Sequence, residues 1–125
     1  DDAALKAVLD KSWVYMQRAH LHAGGMGTTA LVLIVLVSLL GVSRRWTMAV
    51  GLGLGAGGFG YSVFWMWAGF RAPALGGTGP AKESLKWLAM PSSGAFVLAT
   101  IGVLALLFAT LVRQRTGVVN ARPME

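Results

Sequence analysis

The sequence contains no cysteine. That excludes disulfides, iron–sulfur clusters and any thiolate-held metal, and leaves the redox state of the compartment open. Charge is scarce as well. Only 13% of the 125 residues are charged, where a soluble domain carries about a quarter. Acidic residues are the rarest of these, 5 against 11 basic ones, for a net charge of +6. No basic run is interleaved with aromatics in a polar segment, which argues against a nucleic-acid partner.

What is present is apolar. Hydrophobic residues make up 55% of the chain, and the mean hydropathy is +0.62. They lie in blocks long enough to cross a bilayer core, which takes about 20 helical residues. The sequence therefore predicts one all-α integral membrane bundle. Spanning helices are expected over 18–42, 46–70 and 84–112, after an interfacial segment over 1–17 and before a polar tail over 113–125. Trp13 and Tyr15 suit the head-group layer. The basic residues sit at the block ends, so membrane lipid is the first expected partner. Lys6, Lys11, Arg18, Arg71, Lys82 and Lys86 fall on one side, and Arg44, Arg45, Arg113, Arg115 and Arg122 on the other. That near-even division does not orient the protein. The chain opens on Asp1 rather than methionine, without a signal-peptide pattern. A further helix ahead of Asp1 would make a four-helix bundle.

Gly51 to Gly60, GLGLGAGGFG, lets backbones approach closely in lipid. It follows no strand and opens no βαβ unit, so it is no dinucleotide fingerprint. Contact between helices is the first reading, including association between copies through this face; a surface for a flat ligand is the second. Arg71 to Glu83 carries two prolines and three glycines and is expected to be irregular, either a connector or a lid. Pro91 interrupts the third span.

Chemistry concentrates in Trp13 to Gly27, WVYMQRAHLHAGGMG. Titratable side chains are costly at this depth. His20 and His22 point about 200° apart on a helix and cannot share a metal from one face. No Cys, Asp or Glu stands near to complete a zinc site. His20 has Gly24 and Gly27 one and two turns on, room for a flat porphyrin against the helix. A haem iron takes such a lone imidazole and needs apolar walls. The alternative is an interfacial histidine that is simply hydrogen-bonded. Arg18, Arg71, Lys82 and Lys86 share the membrane face and suit propionates. Met26 and Met66 are possible sixth ligands, with packing the blander role. Trp65 and Trp67 read as pocket wall or interface anchors.

RAHLHAGGMG, then GFGYSVFWMWAGFRAP, then the GP-containing loop and WLAMP, resemble the styrene oxide isomerase family of small membrane proteins. More distantly they resemble four-helix units of the haem-copper oxidase main subunit. The resemblance covers about residues 13–112, and Arg18-Ala19-His20 with Gly27 is its specific part. It implies a homotrimer with haem b between subunits, His20 on the iron, and ferric iron acting as Lewis acid in an epoxide-to-aldehyde isomerisation. The family's asparagine six residues after the histidine is here Met26, and its tyrosine in the second span is here Trp65. His22 is an addition, with propionate contact, proton transfer, second-haem ligation or a head-group-facing role open to it. The expected function is thus a haem b protein for electron transfer or small-ligand binding in a bacterial or archaeal plasma membrane. An isomerase and a haem-free accessory subunit of a larger complex are the alternatives. The expected cofactor residues are His20, Arg18, Gly24, Gly27, Trp65 and Arg71, with His22 as a possible second iron ligand.

Overall fold

A computed structural model describes residues 2–120. Four helices follow one another: α1 Asp2–Leu39, α2 Arg44–Arg71, α3 Thr78–Glu83 and α4 Lys86–Asn120. Three of them, α1, α2 and α4, are long and apolar enough to cross a membrane. The all-α membrane bundle expected from the sequence is therefore the fold. Large apolar side chains such as Leu31, Val35, Leu52, Phe59, Leu98, Leu104 and Phe108 face outward. A helix apolar on all sides suits a lipid surround.

The helix ends differ from the sequence reading. The expected interfacial segment and first span form one helix of 38 residues, about 57 Å long. Asp2, Lys6, Asp10 and Lys11 do not break it, because charged residues outside the bilayer cost a helix little. The segment expected to be irregular contains α3. Pro80 fits its first turn, where the missing N–H has no helical partner anyway. Gly76 turns the chain just before, at φ 70°, a conformation that favours glycine. Pro91 lies inside α4 without ending it. Nearby, Ser93 Oγ donates to the Ala89 and Met90 carbonyls at 2.8 and 3.2 Å. The helix also continues past Val112 to Asn120; Arg122 and the rest of the expected tail lie outside the described residues.

α2 lies between α1 and α4, which scarcely touch each other. Two apolar clusters hold the layer. Tyr15, Phe64, Ala68, Ala72, Ala81 and Leu85 join α1, α2 and the α3 end. Ala30, Val37, Val50, Leu54 and Val103 join the other end. Hydroxyls within the spans bond their own helix, as Ser62 does to the Gly58 carbonyl at 2.9 Å and Thr100 to that of Phe96 at 2.9 Å. Lipid offers them no alternative partner.

The glycine run of α2 makes contacts within the chain. A Cβ on Gly57 would stand 2.7 Å from the Phe96 nitrogen and the Ser92 oxygen of α4, and one on Gly53 would stand 2.8 Å from the Ala99 Cβ. Gly60 meets Ser92, whereas Gly55 meets nothing within 4 Å. Most of the face expected to join copies is thus covered by α4. Replacing Gly57 by alanine should cost about 1–3 kcal/mol, since α4 backbone must move. Gly55→Ala should stay within about 0.5 kcal/mol. Unfolding in mixed micelles, followed by far-ultraviolet circular dichroism, measures both.

Candidate functional site

The helical phase of α1 divides the Trp13–Gly27 stretch between two faces. Residues three, four and seven apart share a face. Tyr15, Arg18, His22, Gly25, Met26 and Thr29 form one face. Met16, His20, Ala23, Gly24 and Gly27 form the other.

His20 is exposed on the outer face. It opens onto a groove of about 410 Å³ between α1 and α2, with Ala19 and Ala23 beside it and Phe59, Ser62, Val63, Met66 and Phe70 across from it. A smaller recess of about 200 Å³ continues from Ala23 past Gly27 to Gly55 and Gly58. Gly24 and Gly27 carry nothing within 4 Å of a would-be Cβ, so the floor is open. The His20 imidazole makes no hydrogen bond among the described residues.

His22 is half-buried and fully engaged. Its Nδ1–H donates to the Arg18 carbonyl at 2.7 Å. A carbonyl only accepts, so the neutral ring keeps its lone pair on Nε2. The ring stacks on Trp65, centroids 5.7 Å apart at 21°, and meets Tyr61 edge-on at 5.1 Å. Trp65 also takes Tyr15 edge-on at 5.0 Å, and the Arg18 guanidinium lies over it at 5.2 Å. Its Nε1–H is buried and has no acceptor among the described residues.

Helical phase keeps His20, Gly24 and Gly27 on one face of α1, with Gly27 in the adjoining recess and neither glycine in the His20 groove itself, and sets Arg18, His22 and Trp65 apart from them. Membrane depth suggested Arg18 for a propionate beside His20, but its phase is that of His22. Trp65 is a wall of the His22 cluster rather than of the His20 groove. Arg71 ends α2 next to Phe70 and forms no ion pair among the described residues. Of the two methionines, Met66 lines the groove with His20, whereas Met26 packs beside Gly58. Among the described residues no three His, Cys, Asp or Glu side chains cluster to hold a metal.

Sequence reasoning did not single out Phe59, Val63 or Phe70 as groove wall. With Met66 they stand at i, i+4, i+7 and i+11, a legible helical stripe. Nor did it single out Tyr61, which joins the His22 cluster. No protein-family model, no curated protein and no solved structure matches this chain.

The two histidines should differ in stability effects. Without ligand, His20→Ala should not destabilise and should raise the unfolding free energy by up to about 1–3 kcal/mol, since it removes an unpartnered polar group from an apolar groove. His22→Ala should cost about 1–2 kcal/mol through the lost hydrogen bond and ring contacts. The same micellar unfolding measurement compares them, and equal effects would contradict the two-face division.

Proposed function

We propose that this chain is a haem b-binding integral membrane protein, with His20 as an axial iron ligand, serving electron transfer or small-ligand binding. One observation carries the reading. An imidazole without a hydrogen-bond partner faces outward into an apolar groove, where a polar group is costly unless something binds it.

The residues present fit a porphyrin. A lone neutral imidazole is the donor that haem iron takes most widely. Ala19, Ala23, Gly24 and Gly27 leave the helix surface low beside His20. Phe59, Val63 and Phe70 supply apolar wall. Arg71, free of carboxylates among the described residues, ends α2 one residue beyond the groove residue Phe70 but about 100° round the helix, so its long side chain would have to reach across to a propionate. Bound there, the group would supply a redox-active iron. His20 would hold it, the alanines and glycines would admit its plane, and the aromatic wall would exclude water.

The resemblance to the styrene oxide isomerases supports the same ligand and a homotrimer, and fits a bacterial or archaeal plasma membrane. It supports the isomerisation itself less well. The positions matching the family's asparagine and tyrosine are Met26 and Trp65, and neither offers an amide or phenol. His22 is not proposed as a second ligand, since its ring is stacked and turned to the other face of α1.

Protein purified from a haem-replete host should show a Soret band. His20→Ala should abolish it, and His22→Ala should leave most of it. No Soret band in the parent chain, or an unchanged one in His20→Ala, overturns the assignment.

A further inference from the structure

The second face of α1 has no part in haem binding, yet it gathers cations, aromatic rings and an open crevice. Arg18 of α1 and Lys82 of α3 both lie over the Tyr15 ring, at 5.6 and 6.0 Å from its centroid. Neither forms an ion pair among the described residues; the one ion pair there joins Lys86 to Glu83. Two like charges drawn to one ring, without a carboxylate, leave a net positive site at the membrane boundary.

Directly below lies the crevice between α1 and α4, where those helices scarcely meet. Its volume is about 340 Å³, and His22, Gly25, Met26, Thr29 and Phe96 line it. Met26 and Phe96 close its inner side, both within 3.5 Å of where a Cβ on Gly58 of α2 would stand. The lining is mostly apolar, and the crevice opens sideways. The Trp65 ring links the two, under the Arg18 guanidinium at 5.2 Å and stacked on the crevice residue His22 at 5.7 Å, and its buried N–H has no acceptor among the described residues.

We infer that this face holds one anionic phospholipid, its phosphate between Arg18 and Lys82 and an acyl chain in the α1–α4 crevice. The order of groups matches that of the lipid: cations for the phosphate, then an apolar slot for the chain. In the chain alone the Arg18 guanidinium rests on the Tyr15 and Trp65 rings, weaker partners than a phosphate. A free phosphate would satisfy the cations but leave the slot unfilled, so the occupant is the lipid. The site lies across α1 from His20 and stands independently of haem.

The test uses the full chain in vesicles of equal phosphatidylglycerol and phosphatidylcholine, with retained lipid counted by native mass spectrometry after detergent release. Phosphatidylglycerol should be retained over phosphatidylcholine. The double variant Arg18→Gln/Lys82→Gln should weaken that retention about thirtyfold. Lys6→Gln/Lys11→Gln should leave it unchanged. Gly25→Leu keeps both cations and fills the slot, so it too should release the lipid; Gly25 has room for the side chain, with nothing within 4 Å of a would-be Cβ. If the double variant fails to fold by circular dichroism, Gly25→Leu decides. Equal retention of the two lipids, retention unchanged in a folded double variant or in Gly25→Leu, or glycerophosphate competing as well as a short-chain phosphatidylglycerol, each overturns the inference.

Discussion

The close approach of α2 to both neighbours is the constraint on which the rest depends. In a bilayer no hydrophobic force draws helices together, because lipid tails are as apolar as leucine. Association rests on packing, and packing improves when backbones come near. α2 provides this on two sides. Gly53, Gly57 and Gly60 admit α4, and Gly69 admits α1, where a Cβ would stand 3.0 Å from the Ser12 carbonyl oxygen. With both neighbours pressed on α2, little of α1 is left to touch α4. The result is a layer with α2 in the middle, and among its openings are two that α1 lines: a groove between α1 and α2 and a crevice between α1 and α4.

The phase of α1 then assigns side chains to these openings. Each step of one residue turns about 100°, so the Trp13–Gly27 stretch cannot present its polar groups together. His20 and its small neighbours fall toward the groove. Arg18 and His22, four residues apart, fall toward Trp65 and Tyr61. What looks in sequence like one polar patch is two sites of opposite chemistry. In the proposed reading one offers a donor atom to a metal, and the other offers cations to an anion.

Fold class and the three spans were legible because, in lipid, length and apolarity decide both. Helix ends were not, since the charges at Lys6, Asp10 and Lys11 mark where the bilayer stops rather than where hydrogen bonding stops. α3 was hidden by Pro80, which forbids a helix interior but not a first turn. The divergence of His20 and His22 followed from residue spacing alone. The separation of Arg18 from His20 followed from the same spacing, but membrane depth was weighed instead of phase. The Gly51–Gly60 run announced a helix contact; which helix fills it depends on the packing order, and no local signal carries that. Trp65 belonged to α2, and its side was set by the cluster around Tyr15 and Phe64, contacts between residues far apart in the chain.

The two histidines show why the openings matter. A buried or lipid-facing polar group without a partner costs about 1–3 kcal/mol. His22 meets that demand locally, through the carbonyl of its own helix and the stacked indole. Its Nδ1 side is settled by packing, and only the Nε2 lone pair is left without a donor among the described residues. His20 has no such partner, and α2 offers it only apolar side chains and Ser62, whose hydroxyl is committed to the Gly58 carbonyl. Arg18 and Lys82 stand in the same relation to charge, satisfied by ring faces but by no anion. Ser62 and Thr100 settle their hydroxyls within their own helices, whereas these three groups and the Trp65 N–H have no such partner among the described residues. The ligands we propose follow from that chemistry: an electron-pair acceptor with a flat apolar body at His20, and an anion carrying an acyl chain at Arg18 and Lys82.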